Sequence, residues 1–313
     1  MISARIIADS KSEYDGTRLT TFEVTFNRYV LAEANTHCML SKNSNSSRAI
    51  PVQANLDSIN SNPAIPPSFG KNQSGMVADN DVDEETAKKA LEIWLQAKDD
   101  AVKHATALMN LGIHKQITNR IVEPFAWQKV LITGTEWDNF FWLRCHKDAD
   151  PAIMNPAKLM LDAYNMSIPE KLYVGEWHTP FVNHIRGDDG VLQYIDANYY
   201  ELTLEEALKV SASCCAQISY RKSDDSLEKA NKVFDMLNLD DESGDTRKHA
   251  SPVCHSGTPI IYPTIGSNWN NILGITHQDK VGKLWSANFK SFVQYRHTFP
   301  NESCKNHPDI IKK

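Results

Sequence analysis

Thr20-Thr21-Phe22-Glu23-Val24-Thr25-Phe26 alternates polar with apolar side chains and is rich in β-branched and aromatic residues, so it predicts a half-buried strand. The residues after this strand decide the fold class. A short helical piece is predicted over 30–36, then a polar run, Ser41-Lys42-Asn43-Ser44-Asn45-Ser46-Ser47-Arg48. Residues at about 51–82 are rich in Pro, Asn and Ser and read as a long ordered loop or insertion. Strands and helices do not alternate regularly and no internal repeat is present. An α+β fold is therefore expected rather than a doubly wound sheet.

Further along, Asp83 is a candidate N-cap, with Glu84 and Glu85 at the positive end of the helix dipole. Ala87, Leu91, Trp94, Leu95, Val102, Ala105 and Leu108 recur at helical spacing up to Gly112, a natural stop. A second helix is expected over 131–145, and Pro156 suits the first turn of another, through Tyr164. Residues 175–190 read as a connection carrying Trp177 and His178. Thr203 and Glu206 form a capping box for a helix to about Ala216. A charged segment at about 222–247 contains one amphipathic helix near 226–238. The stretch 249–300 mixes Pro and Gly with short strand-like runs.

The chain has 313 residues, 41% of them hydrophobic, and a net charge of -6. The length allows one large domain or two smaller ones, and a single domain over 1–313 is expected. No basic block points to nucleic acid as a partner, although two or three cations suffice to hold one mononucleotide. The N-terminus is charged too early for a signal peptide, and no apolar run reaches membrane-spanning length. Cys38, Cys145, Cys214, Cys215, Cys254 and Cys304 form no C-x-x-C pair, which suits reduced thiols in a cytoplasmic protein. No P-loop, G-x-G-x-x-G or G-x-S-x-G is present.

Four runs can carry chemistry. Beside His37, the hydroxyls and amides of Ser41, Asn43 and Ser46, followed by Arg48, would cradle a phosphate; a solvated Ser/Asn loop is the competing reading. Asn119-Arg120-Ile121-Val122-Glu123-Pro124 holds an Arg between apolar residues, as a structural ion pair or a ligand contact would require. Asn139-Phe140-Phe141-Trp142-Leu143-Arg144 places two polar groups on an aromatic helix, where a flat ring ligand or core packing would engage them. His249-Ala250-Ser251-Pro252-Val253-Cys254-His255 has no standard zinc spacing, so no metal site is expected.

As a set these runs resemble the flavin-dependent thymidylate synthases, in their longer, phage-type branch. The family pattern R-H-R-x-x-S-x-N-x-x-S-x-R is similar to Thr36–Arg48, with His37, Ser41, Asn43, Ser46 and Arg48 kept. Its A-R-I-V-L-P, N-F-L-x-L-R and S-P-F-E-H segments resemble 119–124, 139–144 and 251–255. The stretch 213–220 is similar to the one preceding the last segment. The order of segments matches the longer branch and looks like a circular permutation of one fold, an antiparallel sheet flanked by helices.

The resemblance implies FAD as cofactor and transfer of a one-carbon unit from methylene-tetrahydrofolate to carbon 5 of dUMP, with NADPH as reductant. It also implies a homotetramer with active sites shared between subunits. By matching position, Ser46, Ser47, Arg48 and Arg120 would hold the nucleotide. Arg144 would polarise the pyrimidine, with Ser46 beside it in the catalytic set. His37, Cys38, Ser41, Asn43, Asn139 and His255 would line the flavin. A cation on the pyrimidine carbonyl suits the chemistry, because charge builds there as carbon 5 becomes nucleophilic.

The chain departs from the family pattern at Thr36 and Cys38, which replace Arg, at Cys254, which replaces Glu, and at Asp150, where Gln is usual. Cys38 and Cys254 read either as nucleophiles for carbon 6 or as fillers of the lost volume. Asp150 would accept from an exocyclic amine and so motivates a dCMP substrate. Three readings remain: methylation of dUMP, hydroxymethylation or hydroxylation of dUMP or dCMP, and an inactive nucleotide-binding homologue.

Overall fold

In the computed structural model, which describes residues 1–219, 224–237, 251–262, 268–299 and 302, the segment around Phe22 lies at the centre of a five-stranded sheet. Strands β1 (Ser3–Ser12) and β2 (Arg18–Asn27) form an antiparallel hairpin in which Ser3 faces Thr25 and Lys11 faces Arg18. β3 (Ser41–Ser44) pairs antiparallel with β4 (Trp127–Gly134), which in turn places Ile132 opposite Phe22 of β2. β5 (Glu170–Leu172) joins the far edge parallel to β1, giving the order β3-β4-β2-β1-β5. The sheet is thus mixed, not purely antiparallel. A parallel neighbour needs a long crossover, and the whole chain between β1 and β5 supplies it.

The structure corrects several expectations from the sequence. The helix expected over 131–145 begins only at Asp138, because 127–134 is β4. Val130, Ile132 and Thr133 are β-branched and favour the pleated surface. The polar run also does not remain a loop: Ser41–Ser44 is an edge strand, and only the residues after it turn away.

The helices are α1 (Leu31–Asn35), α2 (Val52–Ser61), α3 (Glu84–Asn110), α4 (Lys115–Thr118), α5 (Asp138–Arg144), α6 (Pro151–Met166), α7 (Leu204–Ala216) and α8 (Leu227–Leu237). Asp83 caps α3 by accepting from Thr86 N at 2.9 Å. Thr203 and Glu206 form the capping box of α7. The expected loop at 51–82 contains α2 and an isolated bridge between Gly70 and Asp81. α6 starts at Pro151 rather than Pro156, because Asp150 and Pro151 supply both a cap and a proline at the first position.

The two faces of the sheet are covered by different helices. Phe22, Val24 and Phe26 of β2 and Val130 and Ile132 of β4 pack against Trp137, Phe140, Ile153 and Met160 of the α5–α6 layer. The Trp137 ring lies 5.0 Å from Phe22 and stacks on Phe141 at 5.7 Å. On the opposite face Leu131 meets Cys215 and Ile218 at the end of α7. A small antiparallel sheet is formed by β6 (Asn183–Arg186), β7 (Leu192–Ile195) and β8 (Glu201–Leu202), within the expected connection and just after it. In the last part β9 (Gly257–Pro259) pairs with a strand at Phe292–Gln294. Among the described residues no helix is long and apolar enough to cross a membrane.

Candidate functional site

The polar edge strand β3 organises the site. An edge strand keeps one row of backbone groups unpaired, and side chains from elsewhere can close over it. Asn43 Nδ2 donates to the Cys215 carbonyl at 2.6 Å. Gln294 Nε2 donates to Ser41 Oγ at 3.1 Å and to the Cys254 carbonyl at 3.0 Å. Asn288 Nδ2 also donates to Ser41 Oγ, at 3.1 Å. Ser41 and Asn43 are thereby tied to the C-terminal part of the chain. Lys42, between them, turns the other way and bonds the His37 and Leu40 carbonyls.

Before β3, the segment 36–40 meets α5. Arg144 Nε donates to His37 Nε2 at 2.7 Å, and Arg144 Nη2 reaches Thr36 Oγ1 at 3.2 Å. An accepting Nε2 requires the neutral imidazole with its proton on Nδ1. Burial, then the Arg144 and Lys42 cations, pull the His37 pKa down to about 4, consistent with that form. The Phe140 ring packs edge-on to His37 at 4.9 Å. Cys38, Asn139, Leu143 and Glu136 complete the wall of a cavity of about 200 Å³.

After β3, Ser46 N donates to Ser219 Oγ at 2.9 Å and Ser46 Oγ accepts from Arg48 N at 3.3 Å, which folds the chain into a tight turn. Asn119 Nδ2 holds that turn through the Ser47 and Ile50 carbonyls, at 2.7 and 3.0 Å. The buried Ser47 hydroxyl donates to Glu123 Oε1 at 2.7 Å. Arg120 Nη1 and Arg28 Nη2 each reach the same oxygen at 2.9 Å. Arg48 is exposed and pairs with no carboxylate among the described residues.

His255 does not line the cavity beside His37. It is fully buried and ends a chain of hydrogen bonds across the sheet: Ser10 to His178 Nδ1, His178 Nε2 to Thr21, Thr21 to Thr133, and Thr133 to His255 Nδ1, each 2.7 or 2.8 Å. Its Nε2 is buried without a partner among the described residues. Burial drives the pKa of both imidazoles to about 3, so both are neutral. Asp150 is also elsewhere. Its carboxylate caps α6 at 2.7 Å from Ala152 N, at a different cavity lined by Tyr29, Trp94 and Lys147. Cys38 is exposed, and Cys254 is half-buried with Arg296 Nη1 3.8 Å from its sulfur; burial raises the Cys254 pKa. His249, Ala250 and Cys304 lie outside the described residues, as does the rest of 238–250.

The structure therefore brings His37, Cys38, Asn139 and Arg144 together, and brings Ser46, Ser47 and Arg120 together next to Arg48. β3, with Ser41 and Asn43, joins the two groups. Within one chain Arg144 lines the cavity beside His37, whereas Arg120 lies outside that wall and is held by Glu123. Sequence reasoning missed Arg28, Glu123, Lys42 and Gln294. Arg28 and Gln294 sit in unremarkable local contexts. Glu123 was visible beside Arg120, but its convergence with Ser47 and Arg28 depends on tertiary pairing. Threonines at buried strand positions, Thr21 and Thr133, were the one available signal for the histidine chain.

No protein-family model matches the chain, and no curated protein matches it. Among solved structures it is similar to a UMP/dUMP methylase, PolB, from Streptomyces cacaoi bound with 5-Br dUMP. That match has 15% identity and a TM-score of 0.44, and covers 52% of this chain and 90% of the other. PolB bound with 5-Br UMP matches at 15% identity and a TM-score of 0.45, over 52% of this chain and 88% of that one.

Proposed function

We propose that the chain is a flavin-dependent enzyme acting at carbon 5 of a pyrimidine deoxynucleoside monophosphate, methylating dUMP to dTMP with methylene-tetrahydrofolate and NADPH. One observation carries the reading. Residues from 37 to 144 that the sequence resemblance singles out gather at the two ends of one four-residue strand, with a guanidinium at each end. Those ends suit the two halves of a nucleotide: Ser46, Ser47, Arg48 and Arg120 for the phosphate, and Arg144 for the pyrimidine.

A neutral imidazole, the Asn139 amide and the Arg144 guanidinium against Phe140 and Leu143 fit a flat ring bearing carbonyls. Pockets for ligands of drug size are about 300–1,000 Å³, so a cavity of about 200 Å³ encloses a ring and not a whole dinucleotide. A second protomer would supply the missing wall of that cavity. The flavin, when bound, would supply a two-electron carrier between NADPH and the one-carbon unit. Arg144 would stabilise negative charge on the pyrimidine carbonyl as carbon 5 attacks. His37 would hold the guanidinium in place by accepting from Nε, and the phosphate contacts would fix the ring's position. Asp150, occupied as a helix cap, gives dCMP no particular support.

The test is direct. The purified protein is examined for a flavin spectrum, then incubated with dUMP or dCMP, methylene-tetrahydrofolate and NADPH, and the product is weighed. A gain of one methylene on dUMP is expected. Gain of an oxygen, alone or with the methylene, would replace methylation with hydroxylation or hydroxymethylation. Absence of both flavin and nucleotide binding would reject the reading.

A further inference from the structure

Behind Ser47 lies a cavity of about 210 Å³ whose wall carries Arg28, Asn45, Asn55, Glu123 and Lys129. Its charges are not balanced. Arg28 and the adjoining Arg120 share a single carboxylate, Glu123, while Lys129 on the same wall stands 3.9 Å from Glu23. Three donors crowd one oxygen of that carboxylate: Ser47 Oγ at 2.7 Å, Arg28 Nη2 at 2.9 Å and Arg120 Nη1 at 2.9 Å. Two guanidinium groups and a hydroxyl on one anionic oxygen is the donor set that a phosphate monoester takes.

The burial of the group is graded. The Arg28 side chain is 12% exposed, Glu123 23% and Arg120 53%. A nearly buried guanidinium needs a permanent anionic partner, because leaving it unpaired costs more than the pair gains. Arg28 is also fixed from behind by Gln128 Oε1. The backbone of Glu123 is set by Pro124 and by the buried Phe125 in a short 3-10 turn, but its side chain keeps rotatable bonds toward solvent.

We propose that Glu123 is an internal stand-in for the substrate's phosphate. It holds Ser47, Arg28 and Arg120 in position, and yields them when the phosphate of a nucleoside monophosphate enters, with Arg28 as the buried cation of that subsite. The proposal rests on the nucleotide reading and adds to it a residue, Arg28, and a competition. A dianionic phosphate answers the surplus of cations better than one carboxylate, so exchange is favourable. Because Glu123 competes, it weakens apparent affinity and suppresses capture of weaker anions.

Calorimetric titration of dUMP and, separately, of inorganic phosphate tests this on the full chain and its variants, with circular dichroism melts confirming folding. Glu123→Gln keeps volume and an acceptor but removes the charge. Glu123→Asp keeps the charge but withdraws it by one methylene. Both should bind dUMP and phosphate more tightly than the unmodified chain, by about fivefold or more, and Arg28→Met should weaken both by about tenfold. If dUMP binds the unmodified chain and both Glu123 variants bind it no better, the competition is wrong while the nucleotide reading stands. If the variants gain affinity for phosphate but dUMP binds no better than phosphate, the anion subsite stands and the nucleotide reading fails. Absence of any anion binding in every variant overturns both.

Discussion

His178 and His255 are both wholly buried, and each is linked through Nδ1 or Nε2 to hydroxyls of the central strands. Their folded pKa values, about 3, lie below the ordinary value near 6.5 because burial penalises the charged ring; for His178 the charges of His184 and His255 add to this. The unfolded chain therefore binds more protons between pH 6.5 and 3. Stability is complete above about 6.5 and falls on acidification, by up to about 1.4 kcal/mol per pH unit for each ring. Half-buried His37 adds to this in the upper part of that window, down to about pH 4. Denaturant melts from neutral pH down to about pH 5 should show steady loss of stability, and His178→Gln should flatten the slope. A pH-independent midpoint would contradict neutral buried rings. At Arg144 two nitrogens of one rigid planar fork bond His37 and Thr36 at once, a geometry that a lysine's single nitrogen does not reproduce. Arg144→Lys should lower single-turnover product formation by roughly 10²-fold with little change in the thermal melt. Comparable losses of both would make the residue structural instead.

The strand–helix boundary at Gly134 shows how an element can be misplaced by periodicity alone. Apolar residues run from Val130 into Phe141, so a helix over 131–145 fits the pattern, yet the first part joins the sheet through β2 and β3. Gly134 marks the change. A Cβ there would come within 2.5 Å of Leu40 Cδ2 and 3.6 Å of the Met39 carbonyl oxygen. Gly134→Ala should therefore cost about 1–3 kcal/mol through overpacking, read from chemical denaturation. A change below about 0.5 kcal/mol would mean that Leu40 yields freely. Other element ends followed local chemistry closely. Asp83 and Thr203 stand as caps where the sequence put them, because capping needs only residues a turn apart. The stop at Gly112, with φ 75, is equally local.

For the whole molecule, the outward surface of the α5–α6 layer carries several large exposed apolar side chains. Trp142, on α5 with Asn139 and Arg144, is 75% exposed, and Met166 and Ile168, at the end of α6 and just past it, are more so. Exposed patches of this kind mark contact surfaces. The proposed shared active site would bury Trp142 between protomers, where an aromatic anchor contributes most. Trp142→Asp should shift sedimentation from an oligomer toward the monomer and reduce flavin retention together; unchanged mass would remove this surface from the proposed interface.

The strand around Phe22, the long capped helix α3, the capping box of α7 and the α+β class were legible in the sequence, because alternation, helical spacing and caps act over a few residues. The gathering of Ser47, Glu123, Arg120 and Arg28, the His178–Thr21–Thr133–His255 chain and the tie from Ser41 to Gln294 were decided by the tertiary structure. Most of these bonds join residues dozens to hundreds of positions apart, and only strand register and the covering of a polar edge bring them within hydrogen-bonding distance. The same reason separates Asp150 from Arg144, although the two are near neighbours in sequence: α6 takes the carboxylate for its own cap and turns it toward another cavity.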